Sequence, residues 1–357
     1  MIGRKLIRKI SNNVPEAKRK FFMYQYYREY QLLVKNKKLK LYDKDKEEIK
    51  EYWSKYRKNI SLDTHNVYYN LTKVKDKKFI PDYLYYGYID YYFNNMKYNT
   101  AFEDKNYYDI WFKDFNRPKS IVHNVAGVYY DTKYNIINKI EAVNLVNKAF
   151  KTNKELIIKA TVETCSGHNI KFFNEKDDIS DLFDSYKNGN FIVQELVKQH
   201  KDLAKMHKES VNTIRTASLL WKDEVHILSS IIRIGVNDSR FDNSHQGGLA
   251  VGIKSDGSLR ECGFDQYSTR YDVHPNGFKF KNGKIPNYDK LLDTIKKAHA
   301  KFGHFKLIHW DFSVDENGDA ILIEFNLGQG GIYMHQFSNG PFFGDLTDEI
   351  LEEVFKK

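Results

Sequence analysis

The stretch from Phe305 to Gly328 reads FKLIHWDFSVDENGDAILIEFNLG. Two β-rich runs flank Asn317-Gly318, the strongest short-range hairpin signal. A two-residue turn there sets Glu316 opposite Asp319. Counting back along both arms brings Asp311 opposite Glu324 and His309 opposite Asn326. Side chains alternate along a strand, so these four residues share one face, while Trp310, Phe312, Ile323 and Phe325 form an apolar face suited to a core. Two like charges directly across a sheet repel, so something must stand between or around them. Mg²⁺ takes hard oxygen ligands from one or two carboxylates plus substrate phosphates, and Asp311, Glu324 and the Asn326 carbonyl supply such a set. The alternative is a solvated pair of acids on an open sheet face.

The same texture extends upstream. Glu155 to Thr161 (ELIIKAT), Phe191 to Val197 (FIVQELV), Thr213 to Trp221 (TIRTASLLW) and Val225 to Val236 (VHILSSIIRIGV) read as strands. Asp256-Gly257 and Asn282-Gly283 add hairpin signals, and a helix is expected from about Tyr288 to Lys301. A mainly antiparallel sheet with a few helices is an α+β fold. Earlier in the chain, Ser120 to Val128 reads as a strand and Ile137 to Phe150 as a helix. Residues 1 to 60 read as helical, with Leu6, Ile10, Phe21, Phe22, Tyr26 and Tyr30 near helical spacing and a charged helix over Asp43 to Asn59.

Composition bounds the function. The chain has 357 residues, 41% hydrophobic and 29% charged, enough for two or three packed units of ordinary globular character. No run of about 18 apolar residues occurs, and Met1-Ile2-Gly3-Arg4-Lys5 lacks the apolar region of a signal peptide, so a cytoplasmic location is expected. Cys165 and Cys262 have neither CxxC spacing nor a His partner pattern, so neither a zinc site nor a disulfide framework is indicated. The net charge of +10 is localised: residues 1 to 60 hold 18 Lys and Arg against 7 Asp and Glu, and the rest hold 39 against 40. Such a segment is either a solvated helical face or a contact for an anionic membrane or glycan. No recognised nucleic-acid-binding motif accompanies the charge, so nucleic acid is not expected as a partner.

Lys159 ends a strand that runs into a small-residue loop, Thr161 to His168, a combination that can receive phosphates or be a surface turn. No Walker A spacing, GxxxxGK[ST], is present. Taken with Asp104-Lys105, FIVQELVKQH, SVNTIRTASLL, IIRIGVNDSRFDNSHQGGLAVGI, HPNGFKF, HWDFSV and ILIEFNLG, the chain resembles the ATP-grasp superfamily. Within it, the chain is similar to the sugar-transfer-associated group found among polysaccharide-biosynthesis genes. The resemblance runs from about Ala101 to Gln329.

That resemblance implies an ATP-grasp fold of two α+β subdomains clamping ATP behind a helical, basic region of residues 1–100. Residues 101–195 would form the N-terminal and lid subdomains and 196–357 the metal-binding subdomain. Lys105 and Lys159 would contact ATP phosphates, the loop through Gly167 would cover them, and Gln194, Glu195, Leu196 and Val197 would form the adenine hinge. Asp311, Glu324 and Asn326 would hold Mg²⁺. Arg215 and Arg233 would act beside Lys159 near the transferred phosphate or the substrate carboxylate, as Arg suits planar oxyanions; ordinary strand ion pairs are the other reading. Asn243, Gly247 and Gly248 match a DN-x-x-x-GG pattern that brings backbone near ligand. His200, His245, His274 and His309 are read as structural. The implied chemistry joins a sugar or glycan carboxylate to an amine through an acyl phosphate, in surface-polysaccharide or capsule biosynthesis. A kinase with a sugar hydroxyl as acceptor keeps the same ATP site. A third reading makes residues 1–60 a membrane- or polyanion-binding surface beside an inactive nucleotide fold.

Overall fold

The computed structural model describes residues 15–162, 169–186, 189–243 and 246–356. In its N-terminal part, tyrosine-rich sequence folds into α1 (Pro15–Lys37), α2 (Asp43–Ser54) and α3 (Asp63–Thr72), followed by short turns that include a π-helical one at Tyr85–Ile89. Helix α1 turns Phe22, Tyr26, Tyr30, Leu33 and Val34 inward, the i, i+4 stripe its sequence promised. Its Tyr30 hydroxyl donates to the buried Asp82 carboxylate at 2.6 Å, and the Tyr68 hydroxyl does the same at 3.0 Å.

A first antiparallel sheet contains β1 (Ser120–Val125), β2 (Val128–Tyr130), β3 (Ile136–Ile137), β4 (Leu156–Ala160), β5 (Ile170–Phe173) and β6 (Phe191–Glu195), in the order β3-β2-β1-β6-β4-β5. Helices α4 (Lys139–Ala149) and α5 (Ile179–Asp184) cover one face, packing Val146 and Phe183 against Leu156, Ile158 and Val193. Asn138 and Glu141 cap α4 reciprocally, stabilising its start by about 1 kcal/mol. The strand expected over Ser120 to Val128 is in fact two. Ala126 and Gly127 both have positive φ, at 51° and 88°, and make the two-residue turn between them.

A second antiparallel sheet contains β7 (Thr213–Trp221), β8 (Glu224–Ile234), β9 (Leu249–Ile253), β10 (Leu259–Phe264), β11 (Arg270–Tyr271), β12 (Leu307–Val314) and β13 (Ala320–Asn326), in the order β11-β10-β9-β8-β7-β12-β13. On one face Ile214, Ile232, Trp310 and Phe312 pack with Leu291, Ile295 and Ala298 of α6 (Tyr288–His299). On the other, Ala217, Leu219 and Leu307 are covered by the N-terminal helices together with α7 (Tyr333–Asn339) and α8 (Thr347–Phe355). This cover stops one alternation short of Arg215 and Asp311. The same sheet face is apolar where covered and charged where open. Asp256-Gly257 does turn β9 into β10, with Gly257 at φ 82°. Asn282-Gly283 does not make a hairpin: Asn282 ends a 3₁₀ turn and Gly283 has ordinary negative φ. Glycine is needed there because a Cβ would lie 2.6 Å from the Leu259 side chain.

The β12–β13 hairpin corrects the sequence reading twice, and the two errors cancel. Val314 pairs with Ala320, so the turn has three residues between Asp315 and Asp319 rather than two. The Asp315 carboxylate accepts from the Asn317 and Asp319 amides, both at 3.0 Å, and Gly318 takes φ 90°, a type I turn closed by a glycine bulge. That turn alone would shift the register by one residue. A second bulge leaves Ile323 unpaired, so that Asp311 meets Glu324 and His309 meets Asn326 after all. Ile323, expected on the core face, lines the opposite, open one.

Candidate active site

Between the first sheet and the open part of the second lies a cleft of about 770 Å³, within the range (about 300–1,000 Å³) of small-molecule sites. Lys105, Lys159, Gln194, Glu195, Leu196, Val197, Arg215, Arg233, Asn243, Asp311, Glu324 and Asn326 all line it. Gly247 and Gly248 instead shape the neighbouring loop. Gly247 has φ 93°, and a Cβ on Gly248 would lie 2.1 Å from the Asp242 carbonyl. Gly167 falls outside the described residues, as do Cys165 and His245.

One row of cross-strand partners sets the electrostatics. Glu324 on β13 faces Asp311 on β12, which faces Arg215 on β7. The Arg215 guanidinium grips Asp311 in a fork, Nε to Oδ1 at 2.8 Å and Nη2 to Oδ2 at 2.6 Å, and Arg233 Nη2 lies 3.3 Å from Oδ2. Burial works to raise the Asp311 carboxyl, but the two guanidinium charges outweigh it and hold the group at about 2. Arg233 is itself fixed by Thr213, whose hydroxyl accepts from Nε at 2.9 Å and Nη2 at 2.7 Å and donates to Asp242. Glu324 pairs with Lys105 at 2.9 Å. The like-charge pair is therefore neutralised by side chains from three other elements.

Lys105 sits on a 3₁₀ turn, Lys105–Tyr107, capped by Asp104. Asn106 docks that turn onto the end of β4 by donating to Thr161 Oγ1 and the Asn124 carbonyl, both at 2.9 Å. Lys159, the penultimate residue of β4, has no carboxylate within ion-pair distance among the described residues. Burial first, and then the charge of Lys105, lower its ammonium to about 8. Two inward lysines next to one another, one of them without a counter-ion, form a site for an anion.

Asp311, Glu324 and Asn326 present a carboxylate pair and a carboxamide. The Asn326 amide group donates to the His309 carbonyl at 3.4 Å, which leaves its own carbonyl as the acceptor. Glu324 keeps 32% of its side chain exposed. Among the described residues no three His, Cys, Asp or Glu side chains close on a metal. The donor set suits Mg²⁺, which keeps water and phosphate oxygens among its ligands, better than a metal needing an all-protein cage.

The family model for sugar-transfer associated ATP-grasp proteins matches residues 88–350. The chain belongs to this family. Several solved structures are similar to this ATP-grasp chain. D-alanyl-alanine synthetase A from Vibrio cholerae is 12% identical, with 71% of this chain and 66% of that one covered and a TM-score of 0.42. The ATP-grasp ligase PsnB with its minimal precursor is 13% identical, with 73% and 64% covered and a TM-score of 0.42. An L-amino acid ligase from Bacillus licheniformis is 12% identical, with 73% and 48% covered and a TM-score of 0.40. The chain thus spans less than two thirds of the length of these proteins. No curated protein matches it.

Several parts of the cleft escape motif reading in this ATP-grasp chain. Arg240 bridges to Glu155 through two contacts at 2.8 and 2.6 Å and lies 3.5 Å over the Phe172 ring, tying the loop after β8 to the first sheet. Asp90 and Glu103 hold the loop after Asn326 by accepting from the Gln329 amide at 2.6 Å and the Leu327 amide at 2.8 Å. Tyr26 and Tyr86 line the cleft from residues that precede the family match. None of these has a local signature, because each acts across 60 or more residues of sequence. His200, His274 and His309 have structural roles: His200 caps a short helix, His274 bonds the Gly235 carbonyl and His309 bonds the Tyr85 hydroxyl. Cys262 is a half-buried free thiol outside the cleft, and no helix of the described residues is long and apolar enough to cross a membrane.

Proposed function

We propose that this chain is an ATP-dependent ligase that activates a carboxylate, carried by a sugar or glycan, as an acyl phosphate and passes it to an amine. The observation that carries this reading is the meeting in one cleft of Lys105, Lys159, Arg215 and Arg233 with Glu324 and Asn326. Among the described residues the cleft has no Cys and no His lining it. Phosphoryl transfer asks mainly for alignment and neutralised charge, and these side chains are suited to that.

In the proposed reaction Leu196 and Val197 take the adenine and Lys105 and Lys159 the phosphates. Glu324, Asn326 and Asp311 would hold Mg²⁺, which neutralises phosphate charge when bound. Arg215 and Arg233 orient the acceptor carboxylate. Its oxygen attacks the γ-phosphorus, the bond from that phosphorus to the ADP oxygen breaks, and ADP leaves. The amine nitrogen then attacks the acyl carbon, the carbon–nitrogen bond forms, phosphate departs and the amine proton passes to solvent. A carboxylate needs no base before it attacks. A hydroxyl acceptor does, and the acids beside the arginines are already engaged, Asp311 by Arg215 and Glu324 by Lys105. This favours the ligase over a kinase.

Glu324→Gln tests the reading. Turnover measured against Mg²⁺ concentration should fall by about 100-fold or more at limiting Mg²⁺ and recover in part as Mg²⁺ rises. Unchanged turnover at every Mg²⁺ concentration would remove Glu324 from the metal site and with it the proposed phosphate geometry.

A further inference from the structure

Helix α1 precedes the family match yet reaches the cleft, and its docking is specific. Met23 lies over Gly87, where a Cβ would come within 2.3 Å of the Met23 side chain. Arg19 Nη1 donates to the Gly87 carbonyl at 2.9 Å. Between these anchors and Tyr30, the Tyr26 ring lies flat on Tyr86, centroids 4.1 Å apart and planes 4° from parallel. Tyr86 belongs to the π-helical turn Tyr85–Ile89, an irregularity that recurs at functional sites. A Cβ on Gly331 would lie 3.4 Å from the Tyr86 hydroxyl and 3.4 Å from the Tyr333 ring; all three tyrosines line the cleft, with Tyr86 buried behind and Tyr26 and Tyr333 partly open. Leu196 and Val197, proposed for the adenine, follow β6 of the other sheet.

We infer that this tyrosine wall is the acceptor subsite, and that α1 completes it for a sugar acid: a pyranose ring whose C–H face rests on tyrosine while its carboxylate points to Arg215 and Arg233. The inference rests on the ligase reading of the cleft. Tyrosine suits such a ligand because it offers an apolar ring face and a hydroxyl on one rigid side chain. Net attraction for the acid comes from the arginines, and selection of the ring from the wall. The N-terminal extension thereby specialises a family cleft for its acceptor.

Calorimetric binding of MgADP and of D-glucuronate to the full chain tests this, using wild type, Tyr26→Ala, Tyr26→Phe and, on a separate element, Tyr333→Ala. The expected result is that Tyr26→Ala and Tyr333→Ala weaken glucuronate about tenfold and leave MgADP within twofold, while Tyr26→Phe keeps both. Equal glucuronate affinity in wild type and both alanine variants would overturn the tyrosine wall as a subsite. Wild type that binds MgADP but neither glucuronate nor galacturonate would overturn the sugar-acid assignment and leave the nucleotide site standing. Wild type that binds no MgADP would instead remove the ligase reading on which the inference rests.

Discussion

Lys159 carries opposite consequences for folding and for binding. Its ammonium, lowered to about 8 by burial and by Lys105, is a charge held near another of the same sign. Between about pH 8 and its usual value the unfolded chain binds the proton that the folded chain gives up, so this group makes stability rise with pH in that window. Lys159→Met should therefore raise the melting temperature at pH 7 while weakening ATP on the order of 10- to 100-fold. A nucleotide's phosphates would restore the ammonium, so wild-type affinity should hold steady below about pH 8 and weaken above it. Titration calorimetry from pH 6.5 to 9.5 checks this: a flat profile in wild type would contradict a phosphate contact at Lys159. Asp311 makes the complementary case. Asp311→Asn leaves Arg215 facing a neutral amide and should cost about 3 kcal/mol in urea unfolding, beyond any catalytic loss. The Asp311–Glu324–Asn326 set was legible because strand alternation survives errors of turn length when a bulge compensates. Lys105's partner and the Arg215–Asp311 fork were not, because strand order across a sheet is absent from local sequence.

At the scale of elements, α1 shows why a basic, aromatic segment cannot be assigned from charge alone. Its Tyr26 and Tyr30 enter the cleft and the core, while Lys20, Lys35 and Lys37 remain outside, so the helix belongs to the fold whatever its exposed face meets. Tyr30→Phe removes a hydrogen bond to the fully buried Asp82 carboxylate and should cost about 1–3 kcal/mol in urea unfolding. Burial pushes Asp82 up to about 7 against the lowering effect of Tyr30 and Tyr68. Its folded value lies above its unfolded one, so its stabilising contribution is present at low pH and lost as pH rises through about 7. The stability of Asp82→Asn relative to wild type should accordingly improve from pH 6 to pH 8; a constant difference would place the Asp82 titration elsewhere. Deleting residues 1–37 should abolish cooperative unfolding, since Asp82, Tyr68 and Tyr86 lose their cover. Strands β7, β8, β12 and β13 of the second sheet could be read from their β-rich runs, Thr213 to Trp221 to the residue. The failures fell at glycine turns: Ala126-Gly127 splits one expected strand, and Asn282-Gly283 closes a 3₁₀ turn, where a glycine was needed for close packing against Leu259 instead of for a hairpin.

Over the whole molecule, one open sheet face becomes a site because the helices that cover it end before Arg215 and Asp311. The first sheet then faces this uncovered part and supplies Lys159 and the Gln194 to Val197 segment, while the loop after β8 spans to it through Arg240 and Glu155. Hydrophobic pattern pointed to the α+β class, and the family motifs pointed to the residues proposed for phosphates and adenine, which the structure places along one cleft. What covers what depends on contacts between residues 15–90 and 217–350, which no local pattern encodes. The most direct measurement is nucleotide release by the full chain with Mg²⁺-ATP, a panel of uronic-acid sugars and mixed amino acids, quantifying ADP, AMP and phosphate together. The account predicts ADP and phosphate in equal amounts only when a carboxylate and an amine are both present. AMP, or ADP accumulating with a stable phosphorylated sugar and no free phosphate, would contradict it.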